Sequence, residues 1–168
     1  MTLKSLNREE LRAILLRNWM THDALWYGEV ALKLGMAEAS PMNLRVCRKL
    51  GTIECQRLMK TLEATPPKSF DEYRQRFEML RNVFVPDFMH LEIEYRGKDA
   101  QVFHVLDCFA HRGMKKAGTI ADYECGIFER IEGWFDAMGL KYTRTPDLSR
   151  CLKFKGKECT VTIQFHFH

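Results

Sequence analysis

The spacing of apolar residues changes once along this chain, and that change restricts the architecture more than any other feature. Leu11, Ile14, Leu15 and Trp19, then Ala24, Tyr27, Ala31 and Leu34, then Phe70, Tyr73, Phe77 and Leu80 recur every three or four positions, the period of a helix with one buried face. From Met89 the period is two. Met89, Leu91, Ile93 and Tyr95 alternate with His90, Glu92 and Glu94, as in a strand that turns one face to a core. Helices first and strands later predict an α+β fold, with N-terminal helices packed on one face of an antiparallel sheet and one helix inserted between hairpins.

Punctuation residues divide these runs. Asn7 with Glu10 has the pattern of a capping box and opens the first helix. Thr21 is placed to cap a second helix that Gly35 ends, and Ser40-Pro41 opens a third, because proline at the first helical position lacks only an amide that has no partner there. Ala64-Thr65-Pro66-Pro67-Lys68 stops helical structure, and Ser69 with Glu72 restarts it as far as about Asn82. Arg96-Gly97-Lys98-Asp99 turns the first strand into a second, Gln101 to Cys108. Cys125-Gly126 opens a helix with a broad apolar face, Ile127, Phe128, Ile131, Trp134, Phe135 and Met138, which Gly139 ends. Arg150 to Lys155 and Cys159 to His168 read as a last hairpin about Gly156-Lys157. The expected organisation is one domain over residues 1–168, helical in 1–63, with a helix and the sheet in 69–168.

Bulk properties exclude several classes. The N-terminus lacks the apolar stretch of a signal peptide, and no run approaches the roughly 18 apolar residues of a membrane span, so a cytoplasmic protein without a membrane partner is expected. The formal charge of +4 is spread along the chain, and no aromatic-basic signature accompanies it, which argues against nucleic acid.

In a reducing compartment six cysteines point to metal binding or inert burial before disulfides. Cys108 ends a strand, Cys125 opens a helix, and Cys151 and Cys159 bracket the last hairpin. Ligands at element ends can meet at tetrahedral corners without leaving unpaired backbone in the core. The helix dipole should make Cys125 the most readily deprotonated of the four. The alternative is that all four are small buried hydrophobes. A two-residue turn at Gly156-Lys157 would set Cys151 and Cys159 on opposite sheet faces and count against the site. Cys47 and Cys55 read as helix core.

The spacings, with 16, 25 and 7 residues intervening, are not those of a zinc finger or ribbon. They do resemble the zinc-bearing part of the 4-vinyl-reductase-type (heme-NO-binding-like) domain, a small-molecule-binding module of phenol-responsive bacterial regulators and, distantly, of vesicle-tethering proteins. The matching features are Cys125-Gly126 at a helix start, Cys151, Cys159 and the alternating strand that follows. That family takes a further ligand from a Glu three residues before the middle cysteine, where this chain has Leu148, so Cys108, or failing it Asp147, must complete the set. The resemblance implies zinc, with iron as the alternative metal, a small-molecule ligand and a homodimer. The chain is also similar over most of its length to the L-2-amino-thiazoline-4-carboxylic acid hydrolase-like proteins. It shares with them His22-Asp23 and Trp26, Leu50-Gly51 to Glu54, Cys108, Tyr123-Glu124-Cys125-Gly126 and Trp134. That similarity implies hydrolysis of a C–N or C–S bond in a small heterocycle.

Two carboxylates stand in apolar helical rows, Asp23 beside Trp19 and Tyr27, and Glu54 beside Cys47, Gly51 and Leu58. With His22 they could serve one pocket as acid/base groups or metal ligands. Alternatively, Asp23 occupies the first turn of its helix and Glu54 pairs with Arg57 or Arg45 on the surface. His166 and His168 share a strand face and read as a mobile terminal pair ahead of a ligand pair. The leading expectation is a small-molecule-binding protein with a pocket between helices and sheet, lined by Trp26, Tyr27 and Trp134. A closed four-thiolate metal would be structural. A metal-dependent hydrolase is the alternative.

Overall fold

The computed structural model describes residues 5–167, so His168 lies outside the described residues. Among these the chain forms α1 (Arg8–Leu34), α2 (Met36–Thr61), α3 (Phe70–Phe84), β1 (His90–Arg96), β2 (Ala100–Asp107), α4 (Phe109–Lys116), a 3-10 turn at Ile120–Asp122, α5 (Gly126–Ala137), β3 (Tyr142–Thr145) and β4 (Thr160–Phe165). The fold is α+β, with the helical N-terminal part preceding an antiparallel sheet of order β1-β2-β4-β3. No described helix is long and apolar enough to cross a membrane.

The capping box at Asn7 and Glu10 forms in both directions, at 2.9 and 3.0 Å, but the helix it opens does not stop at Thr21. The Thr21 hydroxyl donates to the Arg17 carbonyl at 2.8 Å, inside one helix of 27 residues. Nothing between residues 19 and 22 breaks a helix, so the two expected segments merge. Gly35 alone separates α1 from α2, at φ 82°, a conformation that favours glycine. The next helix starts at Met36, a turn before Ser40-Pro41, with Pro41 inside it. Tertiary packing overrides the start signal: Ala39 and Ser40 are buried, and Ser40 Oγ shares a hydrogen bond with the Tyr27 hydroxyl at 3.0 Å.

The β1–β2 hairpin forms with Ile93 opposite Phe103 and Tyr95 opposite Gln101. β4 lies on the other side of β2, Val161 facing Phe103 and Ile163 facing Gln101. The inward face meets α3 and α5 through aromatic contacts, among them Phe77–Phe103 at 5.6 Å, Phe103–Phe128 at 5.4 Å and Phe135–Phe165 at 5.2 Å between ring centroids. Such pairs combine large apolar burial with edge-to-face attraction. The opposite face carries Glu92, Glu94, Thr160 and Thr162, which are exposed or half-buried. The expected strand over 150–155 is absent. Those residues wind through turns, Lys157 N–H donating to the Leu152 carbonyl at 3.1 Å. Tyr142–Thr145, unmarked by any long apolar alternation, pairs with β4 in their place.

α2 crosses α5 more closely than side chains permit. A Cβ on Gly51 would stand 1.9 Å from the Arg130 carbonyl oxygen, and one on Gly133 would stand 2.2 Å from that of Arg48. Pairing on either side of this contact is reciprocal. Arg48 of α2 bonds Asp136 of α5 at 2.6 Å, and Glu54 of α2 bonds Arg130 of α5 at 2.6 and 2.8 Å. Glu132, also buried, accepts from Arg48, Arg144 and the Tyr142 hydroxyl, which ties β3 to the crossing. Gly133→Ala should lower unfolding free energy by about 1–3 kcal/mol through overpacking. Gly28→Ala, on α1 where a Cβ meets nothing within 4 Å, should raise it by up to about 1 kcal/mol. Denaturant titration of both variants checks the contrast.

Candidate functional site

The helices fill the space above the sheet but not the space between themselves. Ala24, Gly28 and Ala31 of α1 face Gly113 and Ala117 of α4 across a groove of about 1010 Å³, because residues this small cannot close the gap. The groove shares Met20, Tyr27, Phe109 and Met114 with a deeper cavity of about 90 Å³ that reaches Asp23, Asn43, Cys47, Tyr123 and Arg130. At the helix–sheet boundary beside Trp134 the gap measures about 20 Å³. The pocket expected between helices and sheet is thus occupied by aromatic core, and the usable space lies between helices.

This geometry separates the residues singled out in the sequence. Tyr27 is buried and walls the cavity. Trp26 is 63% exposed on the outer side of α1, over a shallow depression with Val30, Met42 and Val46. Trp134 is core, its indole N–H donating to Glu54 Oε2 at 3.0 Å. Asp23 reaches the cavity from the middle of α1, not from a first turn. Glu54 pairs with neither Arg57 nor Arg45. Both of its oxygens accept from Arg130, in a bidentate pair largely out of solvent, so its charge is already matched, which opposes a role as a base. His22 is exposed, near enough to Asp23 to act on it electrostatically.

Arg130, which forms part of the cavity, went unmarked because its helix reads as an apolar face. Its guanidinium lies 4.7 Å from the Trp19 ring centroid and donates to the Phe84 carbonyl. One signal was present: Arg130 stands three residues before Gly133, as Glu54 stands three after Gly51. Burial raises the Asp23 carboxyl above its ordinary value, against the pull of Arg130 and His22. Burial likewise pushes the Cys47 thiol up to about 12 and Cys55 to about 11, the behaviour of inert core cysteines.

The four C-terminal cysteines gather at one end of α4 and α5. Cys108 precedes α4 and Cys125 precedes α5, Cys159 precedes β4 with its carbonyl accepting from Val105 N–H at 2.9 Å, and Cys151 packs with Tyr27 and Tyr123. Cys151 lies outside the strand ladder, which removes the objection of opposite sheet faces. Electrostatic contact links Cys108 to Cys125, Cys151 and Cys159, and Cys159 to Cys125 and Cys151. As they stand, no three His, Cys, Asp or Glu side chains among the described residues converge as a group that could hold a metal ion. Burial pushes Cys159 up to about 12 and Cys125 further, although the amides of Phe128 and Ile127 favour the Cys125 thiolate. The helix start acts on Cys125 as expected, and desolvation outweighs it, so Cys125 is not the readily ionised member.

Because Asp23 holds its proton to higher pH when folded than when unfolded, it subtracts stability as pH rises from its ordinary value of 3.8 through the raised folded value. Asp23→Asn, which cannot ionise, should therefore be more stable than the parent at neutral pH and lose that advantage near pH 3.8. Denaturation midpoints at the two pH values check it.

A comparison with curated proteins finds no significant match. Residues 4–141 match the family of unknown function DUF6125, a span that takes in Glu54, Arg130, Cys108 and Cys125 and stops before β3, Cys151 and Cys159. With most of its length inside that match, the chain belongs to the DUF6125 family.

Proposed function

We propose that this protein is a small-molecule-binding domain whose ligand enters along the α1/α4 groove and seats in the cavity above Arg130. The observation that carries the reading is the continuity of the two spaces, which share Met20, Tyr27, Phe109 and Met114. A deep, mostly apolar recess with a few converging polar groups is the common form of a ligand site. The engagement of Glu54 by Arg130 and Trp134 favours binding over hydrolysis. Gly113→Leu should test it. A Cβ at Gly113 meets nothing within 4 Å, so the variant should fold, fill the recess and abolish the thermal shift that apolar or aromatic ligands give the parent. An unchanged shift would sink the reading.

The four cysteines are proposed as a structural zinc clasp at the back of this recess. The donor set suits zinc: four thiols linked by electrostatic contact through Cys108 and Cys159, two of them at helix starts, with burial of Cys108, Cys125 and Cys159 penalising a charge that a divalent cation would offset. When bound, zinc would supply cross-linking and no open coordination position. Cys108 and Cys125 would thereby pin the ends of α4 and α5 that wall the cavity. Free thiols of this kind suit a cytoplasmic setting, and Trp26 and Val46, exposed outside the groove, are the surface through which a homodimer would form. Elemental analysis should find one zinc per chain. Chelation should lower the melting temperature of the parent and leave Cys125→Ser, which starts without metal, unmoved.

A further inference from the structure

The charges that meet in the cavity do not cancel, and the remainder specifies a ligand. Arg130 is matched by Glu54 in a bidentate pair at 2.6 and 2.8 Å. Asp23 makes no hydrogen bond or ion pair among the described residues, yet it lines the cavity. Within electrostatic reach it has Arg130, already paired, and His22, exposed on the same helix. One carboxylate is therefore left over in a recess that burial makes unfavourable for charge. We infer that the cavity takes an organic ammonium ion, its charged head against Asp23 and its apolar body along the groove between α1 and α4. This rests on the small-molecule reading above and names the class of ligand.

The walls agree with that chemistry. Tyr27 and Tyr123 meet edge to face at 6.5 Å between centroids, and Phe109 joins them around the cavity. Aromatic faces attract desolvated cations, and organic ammonium ions above all. Trp19 takes no part, since Arg130 already covers its ring. The size agrees as well: about 90 Å³ is well under the roughly 300–1,000 Å³ of a site that encloses a whole ligand, so the cavity takes a small head group and the groove takes the rest. Met20, Ala24 and Met114, shared by cavity and groove, would hold the apolar body. An anion would meet Asp23 directly, and a neutral molecule could offer that half-buried carboxylate a hydrogen bond but no opposite charge.

Isothermal titration calorimetry of the full chain at neutral pH with benzylammonium, benzyl alcohol and benzoate separates these cases on one shape. Benzylammonium should bind roughly tenfold or more tighter than benzyl alcohol, the worth of a charge-assisted contact, and benzoate should not bind. Asp23→Asn should bring benzylammonium down to the level of benzyl alcohol. Equal affinity for amine and alcohol, a preference for benzoate, or an amine preference that survives Asp23→Asn would overturn the inference and leave the binding reading standing. Failure of all three probes on the parent would overturn both. The three-probe comparison needs no variant, so it decides the matter on the parent alone.

Discussion

The crossing of α2 over α5 is the contact on which the rest of the molecule depends. Arg48, Gly51 and Glu54 on one helix meet Asp136, Gly133 and Arg130 on the other, in antiparallel order and at the same spacing of three. The glycines bring the backbones together, and their approach delivers the flanking charges at bonding distance. Neither part works alone. Without the glycines the helices would stand apart and the buried Glu54–Arg130 pair would lose its geometry. Without its partner either member of the Glu54–Arg130 pair would be left as an unmatched charge out of solvent, which is costly, whereas Arg48 and Asp136 meet at the more exposed edge of the crossing.

That crossing also creates the recess. α5 is held from below by aromatic packing on β2 and β4 and from above by α2, so its exposed flank has a fixed position. α1 leads into α2 through Gly35 and is held by the Tyr27–Ser40 hydrogen bond and by Arg12 on the Val83 and Val85 carbonyls, not by a packed face against α4. Its small residues then leave a gap that no side chain fills. Arg130 serves both arrangements: one edge of its guanidinium completes the helix crossing, and its flank forms part of the cavity. The thiol cluster terminates the same two helices, α4 and α5, so any change that drew the four sulfurs together would be felt at the cavity wall.

Much of the local structure was legible because it obeys local rules. Asn7 with Glu10, Ser69 with its bond to the Glu72 amide, the Pro66-Pro67 break, the β1–β2 hairpin and the start of α5 at Gly126 all stand where the residues announce them. The failures have a common cause. Thr21 and Ser40-Pro41 carry genuine cap signals, but a cap is worth about 1 kcal/mol, and continuity of α1 and burial of Ala39 against Tyr27 are worth more. Residues 150–155 alternate like a strand but lack a partner strand, whereas Tyr142–Thr145 are too few to alternate visibly yet find β4 beside them.

By itself the sequence determined the fold class and the succession of N-terminal helices before an antiparallel sheet, because periodicity, caps and turns act over a few residues and leave their mark in the chain. Only the tertiary structure decided which polar groups pair and where space remains. Glu54 lies 76 positions from Arg130, and no local pattern records that separation. Whether a carboxylate on an apolar helix row is buried and matched, as Glu54 is, or left half-buried facing a cavity, as Asp23 is, depends on which helix crosses which, and that follows from two glycines meeting in space.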